Sequence, residues 1–209
     1  MIEHIDGSRV TRRAHRVAGA FLIWLALGGL VLGFLAPAPS SAEGVRLFDD
    51  VSLLSVSVRG GLSGHSPIGK IELEDFHQYD IMAMARLPWE WYSDSGWGVG
   101  TRLSVSAGAL QAAGDTGLVT TIVPGFSFGP KHGRYSLDIG GGFALLSQHK
   151  FGTQDMGGAF QFTWNLALRA AVYGPIGLGY DFQHYSDATM YGENGRGVDI
   201  HLFELTYRF

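Results

Sequence analysis

Residues 160–169 read Phe-Gln-Phe-Thr-Trp-Asn-Leu-Ala-Leu-Arg, a run in which every second side chain is large and apolar. Because side chains of a β-strand point alternately to its two faces, the large apolar residues share one surface and the remaining residues share the other. A similar alternation recurs at residues 135–145 and 99–106. No segment after residue 42 keeps a helical period. The pattern predicts an all-β protein.

Eight stretches of this kind are separated by segments that favour turns. They lie near residues 51–62, 77–87, 97–109, 118–128, 134–146, 159–172, 176–187 and 198–209. The separating signals are Pro88, Gly129-Pro130, His132-Gly133, Gly174-Pro175 and the segment 192–197. A soluble β-sandwich would hide one face and solvate the other, whereas here an aromatic-rich face runs along most strands. That face is suited to lipid, and an even number of antiparallel strands closes without edges. We predict an eight-stranded antiparallel transmembrane β-barrel of the bacterial outer membrane.

The opposite face of these strands carries charges of both signs. They are Arg59, Asp80, Arg86, Arg102, Asp138, Arg169, Asp181, Glu204 and Arg208. In a barrel as narrow as eight strands, side chains fill the interior. We expect these groups to pair inside the barrel, and a passive pore is the weakest interpretation.

The first 42 residues have the composition of a secretory signal peptide. Four arginines precede an almost uncharged apolar run at 17–35, and a Pro-rich segment ends in Ser40-Ser41-Ala42. An uncleaved membrane anchor is the alternative, since a run of about 20 apolar residues can span a bilayer. We predict a cleaved signal at 1–42 and the barrel at 43–209. Removing four arginines and two acids from the chain's 15 basic and 19 acidic residues leaves 11 and 17, a balance that does not suggest nucleic-acid binding.

Two strands place ionisable groups on the face predicted to meet lipid. His184 and Ser186 share the parity of outward residues of the seventh strand, and Asp199 and His201 share that of the eighth. We expect a register that sets Ser186 near Asp199 and His184 near His201. Ionisable groups in lipid are costly at mid-bilayer and tolerated near headgroups. The alternatives are therefore an interfacial position without chemistry, or a Ser–His–carboxylate site for acyl transfer to or from a membrane lipid.

The sequence around these residues resembles the lipid A 3-O-deacylases. In that family a strand ends in His-x-Ser-Asn-Ala, followed by a Pro-Asn-x-Gly-Ile-(Glu/Asp) stretch; residues 177–188 (GLGYDFQHYSDA) and 192–199 (GENGRGVD) occupy those places here. The similarity extends to 138–142 (DIGGG), 145–147 (LLS), 160–162 (FQF) and the closing 207–209 (YRF). The resemblance to the family is clear over residues 135–209, whereas the first half of the chain matches only as generic barrel strands. Two departures are an Asp at 187 where the family usually has Asn, and one extra residue between His184 and Asp199.

The resemblance implies an eight-stranded outer-membrane esterase that removes the 3-linked hydroxyacyl chain of lipopolysaccharide without a cofactor or metal. It implies His184 as base, Ser186 as nucleophile and Asp199 as acid. Asp187 occupies the oxyanion or turn position. An ionised Asp accepts but does not donate hydrogen bonds, so it could not stabilise an oxyanion as an Asn does. This difference favours an alternative to the esterase, namely a structural or adhesive barrel with a degenerate site. Lipid A and outer-membrane lipid are the expected partners. The barrel-assembly machinery is expected to recognise the terminal Phe209, and a homodimer is left open.

Overall fold

The computed structural model describes residues 44–48, 50–64, 73–131, 134–192 and 195–209. The predicted signal peptide at 1–42 lies outside the described residues. Among those that are described, no helix has the length and apolar character needed to cross a membrane.

The described residues form eleven strands in chain order: β1 (Val45–Phe48), β2 (Val51–Ser63), β3 (His77–Tyr92), β4 (Trp97–Ala112), β5 (Asp115–Pro130), β6 (Tyr135–Leu146), β7 (Lys150–Phe151), β8 (Gln154–Asp155), β9 (Phe160–Tyr173), β10 (Ile176–Ser186) and β11 (Val198–Arg208). Eight of them close a ring in the order β2-β11-β10-β9-β6-β5-β4-β3, with β3 pairing back to β2. Every pairing is antiparallel. The short β1 pairs with the start of β2, and β7 and β8 form a separate hairpin. The predicted all-β, eight-stranded barrel is confirmed.

The alternation read from the sequence appears directly in the burial of each strand. In β9 the outward Phe162, Leu166 and Leu168 are exposed, while Gln161 and Thr163 are buried inside the barrel. Backbone hydrogen bonds are satisfied strand to strand all around the ring, which is the condition for placing strands in lipid.

The predicted turn at Pro88 is wrong. Pro88 lies inside β3, at a place where the register with β4 shifts between Arg86 and Glu90. Proline has no N–H for the ladder, and such a bulge is one of the few places where a sheet accepts it. The actual turn follows at residues 93–96, with Trp91 just before it and Trp97 just after it.

Charged residues fill the middle of the barrel, as the alternation predicts. Arg59 contacts Asp80 at 2.7 Å and Asp181 at 3.0 Å, and all three side chains are almost fully buried. Arg169 reaches three carboxylates, which are Asp138 at 2.5 Å, Asp181 at 3.3 Å and Glu204 at 2.7 Å. Two guanidinium groups thus bridge four acids from four strands. The interior is packed at this level, and a continuous water channel through it is not compatible with the packing.

The two ends of the barrel differ. At one end, the short-turn end, strands are joined by residues 93–96, 131–134 and 174–175. At the other, the long-loop end, the connections are 64–76, 113–114, 147–159 and 187–197. A buried apolar cluster lies toward the long-loop end; its largest members are Phe76, Leu110, Phe151, Met156, Tyr185, Ile200 and Leu202. This cluster joins the β7–β8 hairpin to the barrel wall.

Candidate functional site

His184 and Asp199 meet on the outer wall of the barrel, near the long-loop end. They are direct partners in the register of β10 with β11. Nδ1 of His184 is hydrogen-bonded to the Asp199 carboxylate. The side chain of His184 is 11% exposed and that of Asp199 only 1%. A buried carboxylate bonded to Nδ1 fixes the ring's orientation and leaves Nε2 available for proton transfer.

Ser186 lies two residues beyond His184 on the same face and is half-buried. It is the last residue of β10, opposite Phe162 of β9. Among the described residues, Ser186 makes no hydrogen bond with His184. The structure therefore brings the predicted base and acid into contact, and it sets the predicted nucleophile beside them along the strand.

The expected register of this hairpin is wrong by two residues. His201 lies opposite Phe182, not opposite His184, and its Nδ1 is 2.6 Å from the hydroxyl oxygen of Tyr180. A slip of two residues keeps every side chain on its own face, so alternation alone cannot distinguish the two registers. The connection of residues 187–197 is too long to set the register by turn geometry.

Two neighbours of His184 were not anticipated from the sequence. Trp164 of β9 lies directly across from it, with ring centroids 5.9 Å apart. Gly197 passes close to the imidazole, and a Cβ there would come within 3.2 Å of His184 Cε1 and 2.6 Å of the Tyr185 carbonyl oxygen. Glycine at 197 thus lets the loop approach the ring. The outward parity of Trp164 was visible in the sequence, whereas the approach of Gly197 depends on loop conformation.

The β7–β8 hairpin holds that loop segment in position. The backbone N–H of Arg196 donates to the carbonyl of Asp155 at 2.9 Å, and Nε2 of Gln154 donates to the carbonyl of Gly197 at 3.1 Å. Burial tends to raise the pKa of Asp155, but hydrogen bonds and the positive charge of Lys150 lower it to about 2. The donors of these hydrogen bonds are the Gly157 N–H, His149 and Lys150. The Asp155 carboxylate therefore stays ionised at neutral pH and continues to accept these hydrogen bonds.

Asp187 lies inside the turn that follows Ser186. Its Oδ1 accepts a hydrogen bond from the Thr189 N–H at 3.1 Å. Its Oδ2 is buried, and within the described ranges it has no hydrogen-bond partner. Gly157 and Gly195 pack against this carboxylate so closely that a Cβ on either would overlap Oδ2. Asp187 therefore holds the turn rather than facing the outer wall.

The same turn contains two residues with left-handed backbone, Ala188 at φ 48° and Thr189 at φ 65°. That region is unfavourable for a β-branched residue such as threonine. Strained backbone of this kind persists where the surroundings over-determine it, and it concentrates at functional sites. Here the Asp187 carboxylate and the Asp187 carbonyl, which accepts from Met190 N–H at 2.9 Å, supply the constraint.

The described part of the chain contains no group of three or more His, Cys, Asp or Glu residues suited to a metal ion.

Comparisons with known proteins agree with this picture. The family model described as "Lipid A 3-O-deacylase (PagL)" matches residues 77–208. Among solved structures, the chain is similar to the one titled "Crystal structure of the outer membrane enzyme PagL", with a TM-score of 0.60 and 16% identity, over 74% of this chain and 99% of that one. A second is the Yersinia pestis outer membrane protein Ail, with a TM-score of 0.40 and 11% identity, over 75% of this chain and 99% of that one. No curated protein sequence matches the chain.

Proposed function

Because the chain belongs to the PagL family of lipid A 3-O-deacylases, we propose that this outer-membrane barrel hydrolyses the 3-O-linked hydroxyacyl ester of lipid A by a Ser–His–Asp mechanism. Ser186 is the nucleophile, His184 the base and Asp199 the acid. The observation that carries the assignment is the hydrogen bond between His184 Nδ1 and the Asp199 carboxylate on the outer wall. No metal or cofactor enters this mechanism.

The chemistry needs one movement of a side chain. The mechanism requires Ser186 Oγ to come within hydrogen-bonding distance of His184 Nε2, and hydrogen bonds of this kind are often long before substrate binds. Nε2 takes the hydroxyl proton as Oγ attacks the ester carbonyl, and Asp199 stabilises the imidazolium that forms. Collapse of the tetrahedral intermediate breaks the bond between the acyl carbon and the sugar 3-oxygen, which receives that proton and leaves as the 3-hydroxyl, while the acyl group stays on Ser186. Water then releases the fatty acid from Ser186 by the same steps in reverse.

The position of the trio on the barrel supports a site in the outer leaflet. Outer-membrane barrels have short periplasmic turns and longer extracellular loops, which assigns the long-loop end to the cell exterior. Ser186 ends β10 and Asp199 is the second residue of β11, both at that end. The site therefore faces acyl chains of the outer leaflet just below the headgroups, where lipid A of lipopolysaccharide resides.

Asp187 changes how the oxyanion is stabilised. An ionised carboxylate cannot donate to a developing negative charge. Its Oδ1 instead accepts from Thr189, which fits a role in holding the turn. We propose that the Ala188 N–H, carried by the strained turn directly after Ser186, is an oxyanion donor. Backbone N–H groups preorganised in this way are typical oxyanion donors.

A second candidate is a barrel that keeps the fold without the activity. Two observations favour it: Ser186 and His184 are not hydrogen-bonded in the described structure, and a carboxylate stands where the family usually has an amide. Under this interpretation the His184–Asp199 pair is a remnant that stabilises the hairpin.

Mass spectrometry of lipid A from a Gram-negative host that expresses the chain decides between the two. The deacylase predicts loss of one hydroxyacyl mass with the unaltered chain, and no loss with Ser186→Ala. Ser95→Ala, in the exposed turn at the opposite end, is the matched control and should behave like the unaltered chain. Unchanged lipid A despite correct insertion of the unaltered chain, or equal activity of Ser186→Ala, would refute the proposal.

A further inference from the structure

The interior of the barrel has a cavity at its short-turn end, on the side away from the candidate active site. It has a volume of about 130 Å³. Toward the barrel centre it ends at Arg169, whose guanidinium is engaged by buried carboxylates. Beyond that level the interior is packed. The cavity is therefore a blind pocket that opens at one end, not a section of a channel.

Cations dominate the wall of this pocket. Arg86, Arg102 and Lys131 all line it, and all three face one carboxylate, that of Glu90. The separations from Glu90 are 3.5 Å for Arg86 Nε, 3.5 Å for Arg102 Nη1 and 4.0 Å for Lys131 Nζ. Charge-assisted hydrogen bonds normally close to about 2.7–2.9 Å. Arg102 Nη1 also donates to the Thr101 carbonyl at 2.9 Å, which is a neutral partner. The three positive charges thus exceed the single negative charge of Glu90.

A fourth cation adds to that excess. Arg208 has inward parity on β11, and its Cδ lies close to Gly177 across the pocket wall. Within the described residues its guanidinium has no hydrogen bond and no ion pair. The acids deeper in the barrel, Asp138 and Glu204, are already bonded to Arg169.

We propose that this pocket binds a small oxyanion, with a phosphate group as the preferred ligand, from the periplasmic side of the membrane. Guanidinium groups form planar, paired hydrogen bonds with phosphate oxygens, and two of them flank the cavity in Arg102 and Arg208. The small volume of the cavity, about 130 Å³, suits one phosphate group rather than a large ligand. The low-dielectric wall of the barrel strengthens the attraction.

The test is calorimetric titration of the refolded barrel, in an uncharged maltoside detergent, with inorganic phosphate at constant ionic strength. Constant ionic strength matters because salt screens exposed charges. We expect saturable binding with one site. Arg102→Gln and Arg208→Gln, measured separately, should each weaken it about tenfold or more. Arg46→Gln removes an exposed arginine of β1 that does not line the pocket, and it should leave binding unchanged.

Two variants are used because Arg208 is the last residue of β11, whereas Arg102 lies within β4, so a folding defect of one variant does not decide the test. Arg102→Gln should also keep full activity on lipid A, since the proposed active site lies on the outer wall at the other end. Absence of saturable binding to the unaltered barrel would overturn the proposal. So would equal affinity in the unaltered chain and in Arg102→Gln, because the phosphate would then be bound elsewhere.

Discussion

Replacing Asp199 with Asn tests the proposed mechanism at its best-defined contact. The substitution keeps the shape of a side chain that is 1% exposed, but it removes the negative charge beside His184 Nδ1. Two effects follow. The amide no longer stabilises the imidazolium formed during attack, and its NH₂ group can select the tautomer that carries the proton on Nε2, where the base must be free.

The size of the first effect can be estimated from the geometry. Two unit charges about 4 Å apart interact by about 4 kcal/mol at an effective dielectric constant of about 20, a value suited to protein sites near a surface. Each 1.36 kcal/mol of lost transition-state stabilisation corresponds to about tenfold in rate. Asp199→Asn should therefore lower the deacylation rate about 1,000-fold.

The assay follows release of the hydroxyacyl chain from purified lipopolysaccharide in detergent. Asp94→Asn, in the exposed turn at the other end of the barrel, is the control and should retain full activity. Folding of both variants is checked by the mobility shift that heating gives intact barrels in gel electrophoresis. A folded Asp199→Asn barrel with activity within tenfold of the unaltered chain would show that Asp199 is not the acid of this site.

Three further predictions concern other parts of the molecule. Arg169→Met leaves three buried carboxylates without their shared cation, so it should lower the free energy of unfolding by about 3–5 kcal/mol. Urea titration in detergent measures this change, and a loss below about 1 kcal/mol would show that the ion pairs of Arg169 contribute little to stability. Asp187→Asn keeps an acceptor for the Thr189 N–H and removes a buried charge, so it should raise both the thermal stability and the deacylation rate. A fall in the rate would show that the reaction needs the carboxylate. The pKa of Asp155 is lowered in the folded hairpin, so its stabilising effect is present above the ordinary Asp value near 4 and is lost as the pH falls toward about 2. The Gly157 amide, which donates to Asp155, should titrate by NMR with a midpoint near pH 2 and not near 4.

The strands could be predicted from the sequence because each carries its own signal. Alternation in 160–169 requires no knowledge of the neighbours, and it gave both the strand and its lipid-facing side correctly. The ends of the strands were harder to predict. Pro88 reads as a terminator in isolation, but β3 continues past it to Tyr92 because a bulge accommodates the missing N–H.

The site could be predicted only in part, because its members are related by register and by loops. Parity identified His184, Ser186 and Asp199 as outward residues on two neighbouring strands, but a slip of two residues left their pairing undetermined. The burial of Asp187 between Gly157 and Gly195 depends on two loops that are distant in sequence. Neither glycine carries a local pattern that points to Asp187.

The location of the His184–Asp199 pair also explains how a barrel can keep a carboxylate on its lipid side. A charge on the lipid face costs about 2–4 kcal/mol at mid-bilayer for a basic residue, less for an acidic one, and little near the interface. His184 lies two residues from the end of β10, which is about 7 Å along the strand at about 3.4 Å per residue. Trp164 and the backbone at Gly197 cover the ring from either side, and Asp199 is almost completely enclosed. The pair thus lies close to the end of its strand, where the proposed orientation puts the headgroups, and it is enclosed enough for the carboxylate to act strongly on the imidazole. A site several residues further along the strands, toward the middle of the barrel, would be as well enclosed, but its charges would lie deeper in the lipid and cost more.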